Sequence, residues 1–176
     1  MISEIVSTSA LVIACCMIGM WLLSVFLKNA SIVDIFWGLG FVIVAWACAV
    51  RVDTMSSVGK LLVALVSLWG LRLSTYLWIR NHGKPEDLCY VAMRKHYGPK
   101  FVFISLVTVF LLQGVIMMIV SLPVQIGVAD SDAKISAFTV IGCAIFALGI
   151  FFEAVGDWQL AAFKRDENNA GKVMQS

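Results

Sequence analysis

In the stretch FFEAVGDWQLAAFK, residues 151–164, Glu153 and Asp157 stand four apart and Asp157 and Lys164 seven apart. At about 100° per residue of α-helix, those spacings put all three within an arc of about 40°. Two carboxylates and a cation on one stripe suit a ligand with hydroxyl or amide donors at one end and phosphate at the other. The carboxylates accept from ribose or amide groups, and the ammonium meets phosphate as a point charge. An ordinary amphipathic exit from a membrane explains Asp157 and Lys164 but leaves Glu153 facing lipid directly after the apolar run IGCAIFALGIFF. A polar pocket opening to the cytoplasm accounts for all three.

Three further polar positions interrupt apolar sequence. Asp34 opens the run SIVDIFWGLGF, with Trp37 and Gly38 on its face at i+3 and i+4. A carboxylate there also suits the positive end of a helix dipole. The GLG that follows has no strand before it, so it reads as close helix packing and not as a dinucleotide fingerprint. In LWGLRLSTYLWIRN, residues Trp69, Arg72, Tyr76 and Arg80 form one helical stripe. Two readings of Arg72 stay open: a snorkelling arginine above an aromatic belt, or a partner for Asp34. Gln113, a lone amide in LLQGVIMM, is placed for an interhelical hydrogen bond.

The elements that must position these groups are membrane helices. The chain has 176 residues, 61% hydrophobic and 14% charged, outside the range of soluble domains. Apolar runs able to cross about 30 Å of hydrocarbon fall near residues 5–27, 31–50, 58–79, 101–126 and 135–156. The first has Glu4 in place of a basic leader and runs on too long for a signal peptide. The segment RNHGKPEDLCYVAMRKHYGPK is rich in lysine and arginine, while the next loop offers Asp130, Asp132 and Lys134. The positive-inside rule puts the basic segment in the cytoplasm and the N-terminus outside. Gly98-Pro99 marks the start of the fourth helix, and Pro123 is expected to kink or end it. The five cysteines show neither CxxC pairs nor metal spacing. The net charge is only +2, with the basic residues flanking spans, so the expected partners are membrane lipids and an apolar ligand, not nucleic acid.

The strings SIVDIFWGLGF, LWGLRLSTYLWIRNHGKPEDLCYVAMR, VFLLQGVIMMIVSLPV and FFEAVGDWQLAAFKRDENNAGKVM resemble the bacterial and protist branch of the steroid 5-alpha-reductase-like membrane proteins, the DUF1295 family. The resemblance covers the chain from about Ser31 onward. It implies an all-α polytopic membrane helix bundle, about five transmembrane helices here of about seven in full-length relatives. It also implies NADPH at the cytoplasmic side, delivering hydride to a conjugated carbon–carbon double bond of a lipid-soluble, steroid- or sterol-like enone. In the steroid reductases an acidic residue on the second helix and a tyrosine on the third polarise the ketone. By motif position Asp34 takes the acidic role. The tyrosine position falls on Trp69, which cannot donate as an acid, so Tyr76 would replace it from about two turns on, and substrates other than 3-oxo-steroids stay open. The cofactor residues implied are Arg72, Glu153, Asp157 and Lys164, the last at a phosphate.

Relatives continue into a segment resembling GLWRYSRHPNYFGE and two more helices that carry much of the cofactor site, so this chain is expected to hold an incomplete pocket. Two other readings remain: an S-adenosylmethionine-dependent relative of the isoprenylcysteine carboxyl methyltransferases, and a non-catalytic membrane homologue that binds lipid or a partner subunit. The membrane would be the endoplasmic reticulum in a eukaryote and the inner membrane in a bacterium.

Overall fold

A computed structural model describes residues 2–166, 169 and 172, and among them all regular structure is helical. The recognised string from Glu167 onward lies outside the described residues, apart from Asn169 and Lys172. The chain forms two compact units, Met1–Lys134 and Ile135–Ser176. Five helical stretches are long and apolar enough to cross a membrane, so the protein is an integral membrane helix bundle.

The first unit begins with α1 (Ile2–Leu27), α2 (Ile32–Arg51) and α3 (Ser57–Asn81). Lys28 ends α1 in the left-handed region, φ 52°, which lets the Asn29 N–H donate to the Ser24 carbonyl at 3.0 Å. The Ser56 hydroxyl oxygen caps α3 by accepting from the Gly59 N–H at 3.1 Å. Helices α2 and α3 meet backbone to backbone. A Cβ built on Gly38 would stand 2.5 Å from the Gly70 carbonyl oxygen, and the Leu39 N–H donates across to the Ser74 hydroxyl at 2.8 Å. Small residues permit that approach where lipid supplies no hydrophobic drive between helices. Trp37, Phe41 and Trp69 then stack edge to face, with centroids 5.3 and 5.5 Å apart.

The fourth crossing departs from its sequence reading. A helix, α4 (Leu88–Tyr97), precedes Gly98-Pro99, within the segment read as a loop. Asp87 caps it by accepting from the Cys89 N–H at 2.9 Å, and Gly98 turns the chain at φ 54°. A 3₁₀ turn, Gly98–Lys100, leads into α5 (Phe101–Ser105), a π-helical segment Leu106–Leu111, and α6 (Leu112–Ala129). Pro123 does not end the helix, which continues to Ala129. Within a bundle, neighbouring side chains and local adjustments accommodate the missing N–H. Core residues Ile13, Met17, Phe41, Val44, Phe110 and Met117 close the unit from α1, α2, the π segment and α6.

At the basic end, the segment before α4 is pinned to the α1–α2 turn. The Ala30 N–H donates to Glu86 Oε1 at 2.7 Å, and the Asp87 N–H donates to the Ser31 hydroxyl at 2.7 Å. Arg94 grips the same carboxylate with two bonds, Nη2 to Oε1 at 2.8 Å and Nε to Oε2 at 3.1 Å. Burial alone would raise the Glu86 carboxyl, whose side chain is 10% exposed, but the bonds from Arg94 and Ala30 and the Arg94 charge outweigh it and hold it below its usual value. A depressed carboxyl contributes stability that is present above the unfolded value near 4.5 and is lost as pH falls through the folded one. Glu86→Gln should therefore cost about 1–2 kcal/mol at neutral pH. It should also flatten the loss of stability that the parent chain shows on acidification below pH 4.5. Thermal unfolding in detergent at neutral and acid pH measures both, and a variant as acid-sensitive as the parent excludes this assignment.

The second unit is α7 (Ala137–Arg165), opened by a capping box in which the Ser136 N–H donates to Thr139 Oγ1 at 3.2 Å. It runs past the span read from the sequence, 135–156, and its 29 residues rise about 44 Å, more than the hydrocarbon core. With Ala137 at one boundary, Glu153 lies about 24 Å along, just inside the opposite face. Asp157 then reaches that face, and Lys164 stands beyond it.

Candidate functional site

Asp34 lies in the first turn of α2, three residues after Ser31, whose carbonyl accepts from the Asp34 N–H at 3.2 Å. Its side chain is held from another element: the Tyr90 O–H, from the first turn of α4, donates to Oδ1 at 3.0 Å. Gln113, at the start of α6, places its amide in the wall of the same cavity, so its isolation in an apolar run marks a position that faces another helix's polar group. The pins at Ala30 and Ser31 position Tyr90, because they fix the beginning of α4 against the beginning of α2.

Around this carboxyl is a cavity of about 460 Å³ lined by Asp34, Trp37, Leu73, Leu77, Gln113 and Ile116. It has four apolar walls, one carboxyl, one amide and no cation. Such a lining suits an apolar molecule with a neutral oxygen function and offers a phosphate no cation. A second cleft of equal volume, against Met20, Phe36, Leu71 and Trp78, carries the hydroxyls of Ser74 and Thr75 and has no ionisable side chain in its lining.

The other sequence-predicted residues lie on α3 and α7. On α3 the guanidinium carbons of Arg72 and Arg80 lie 5.9 and 5.8 Å from the Tyr76 ring centroid, so the expected stripe forms as a cation–π sandwich. On the helix wheel Tyr76 lies about 60° from Leu73 and about 100° from Leu77, the α3 residues that line the Asp34 cavity. The phenol bonded to Asp34 is Tyr90. Glu153, Asp157 and Lys164 all fall on the unbroken helix α7, which gives them the common face their spacing implies. Glu153 and Asp157 are half-buried and Lys164 is exposed. These three offer acceptors for hydroxyl and amide groups and a cation for phosphate, which fits a nucleotide. Among the described residues no trio of histidine, cysteine, aspartate or glutamate is arranged to hold a metal ion.

Sequence reasoning missed Tyr90 and Glu86. A signal for their helix was present: Asp87 as a cap before LCYVAMRKHY, with basic residues in the last turn. The bond of Tyr90 to Asp34, 56 residues away, leaves no trace in local spacing.

The model of a family described as a protein of unknown function, DUF1295, matches residues 20–176. The chain belongs to the DUF1295 family. No curated protein and no solved structure matches it. The DUF1295 match begins within α1, so it takes in Asp34, Tyr90, Gln113 and the α7 stripe together.

Proposed function

We propose that this DUF1295 chain belongs to an NADPH-dependent membrane reductase that saturates a carbon–carbon double bond conjugated to the carbonyl of a lipid-soluble, steroid- or sterol-like substrate. The observation that carries the reading is the Asp34 carboxyl, bonded by the Tyr90 phenol and set in a mainly apolar lining that holds one amide and no cation. The resemblance to the steroid 5-alpha-reductase-like proteins suggests the reaction class, and the apolar lining of the cavity supports a substrate of that kind. The membrane would be that of the endoplasmic reticulum in a eukaryote or the inner membrane in a bacterium.

In its protonated form Asp34 offers an O–H to the substrate carbonyl, where negative charge develops as hydride reaches the β-carbon. Tyr90 fixes the carboxyl's orientation, and Trp37, Leu73, Leu77 and Ile116 keep its surroundings apolar. NADPH supplies the hydride when bound; a proton delivered to the α-carbon completes the saturated product. Glu153 and Asp157 on α7 would accept from ribose or carboxamide groups of the nucleotide, and Lys164 would take phosphate; on α3, Arg72 would be a separate phosphate partner.

Fluorescence titration of the purified full chain with NADPH, and separately with S-adenosylmethionine, tests the reading. NADPH should bind, and Asp157→Ala should weaken it about tenfold, the cost of one charge-assisted hydrogen bond. Binding of S-adenosylmethionine alone would move the chain to the methyltransferase class. Absence of both would leave a non-catalytic homologue.

A further inference from the structure

We propose that the cleft between the end of α1 and the junction of α4 with α5 binds the phosphodiester headgroup of an anionic phospholipid. The cleft has a volume of about 270 Å³ and is lined by Lys28 and Arg94, by the Ser24 and Ser105 side chains, and by Val25 and Phe101 among its apolar walls. Its chemistry differs from that of the Asp34 cavity: it has two cations where that one has none. The proposal is independent of the reductase reading.

The cations are prepared for an anion. Arg94 commits Nε and one Nη2 hydrogen to Glu86 and lays its guanidinium carbon 4.5 Å from the Phe101 ring centroid. Its Nη1 group makes no bond among the described residues and is held in place by the other contacts. Lys28, across the cleft, has a left-handed backbone that long side chains seldom adopt. It is exposed and makes no ion pair among the described residues. The two hydroxyls are occupied, Ser24 donating to the Trp21 carbonyl at 2.7 Å and Ser105 to the Val102 carbonyl at 2.9 Å. The donors left for a ligand are therefore cationic.

Charge balance selects the ligand. Two cations less the Glu86 carboxylate leave one positive charge, which matches the single negative charge of a phosphodiester. A pocket between helices at the basic end of a membrane protein is also where lipid phosphates lie. Flanking it, Phe26 and Phe103 are 83% and 72% exposed, apolar surface on which acyl chains can rest.

The test is native mass spectrometry of the purified full chain titrated with phosphatidylglycerol or phosphatidylcholine. Lys28→Gly removes the cation and keeps the left-handed turn that glycine adopts freely. The parent should prefer phosphatidylglycerol about tenfold, and Lys28→Gly should reduce that preference about fivefold, the worth of one basic residue near an anionic surface. Equal affinity for the two lipids overturns the site, as does an undiminished preference in Lys28→Gly. Displacement of phosphatidylglycerol by millimolar inorganic phosphate or NADPH would assign the cleft to a soluble phosphate and overturn the lipid proposal.

Discussion

Gly70→Ala should destabilise the folded bundle by at least about 2 kcal/mol, in the upper part of the range for overpacking a close contact. A Cβ at this position meets the Gly38 carbonyl oxygen, with Val42 Cγ2 at 2.6 Å, and the reciprocal Cβ on Gly38 meets the Gly70 carbonyl oxygen at 2.5 Å. The obstacle on each side is backbone, which cannot rotate away as a side chain can. Relief requires α2 and α3 to separate, which breaks the Leu39 to Ser74 bond and opens the Trp37–Phe41–Trp69 stack. Gly19→Ala is the control, because a Cβ there meets nothing within 4 Å and alanine is the better helix former. Unfolding midpoints in a single detergent should show a large loss for the first variant and none for the second. Equal midpoints would mean that the two helices are not held by this contact.

Asp34→Asn should lower enone reduction about 10²- to 10⁴-fold, the usual contribution of a positioned acid. Asparagine has nearly the same shape and can still accept from Tyr90, so the fold and NADPH affinity should stay within about twofold. What it lacks is an acidic proton to offer the substrate oxygen. Tyr90→Phe leaves the carboxyl without the bond seen at 3.0 Å and should cost more activity than Tyr76→Phe, since Tyr76 is not among the residues that line the Asp34 cavity. Single-turnover rates, measured with NADPH binding as a separate readout, distinguish the cases. A rate for Asp34→Asn within tenfold of the parent would remove Asp34 from the chemistry, and a larger loss in Tyr76→Phe would return the phenol role to the third helix.

The five crossings were legible because charges such as Lys28, Arg51, Lys60, Arg80 and Lys100 bracket the apolar runs. The α7 stripe was legible because one regular helix preserves spacing. The arrangement around Asp34 was less so. The position of Arg72 within its span offered it as a partner for Asp34, and the family resemblance implied Tyr76 as the phenol, whereas the structure brings in Tyr90 through contacts made by the backbone N–H groups of Ala30 and Asp87. Backbone donors are present at almost every residue, so no residue type announces them.

The π segment in the fourth crossing has a consequence for helix phase. Phe101, Ser105 and Val109 are buried at regular α spacing, and a plain helix would next bury Leu112 and Ile116. Those two are 52% and 41% exposed; Gly114 and Met117 face inward in their place. The segment Leu106–Leu111 thus acts as one inserted residue that rotates everything after it by about 100°. Without that offset, Gly114 would no longer face α1, where a Cβ would already stand 3.2 Å from Met17 Cγ, and Gln113 would leave the cavity wall it shares with Asp34. The phase in use therefore sets both a close helix approach and the amide beside the carboxyl.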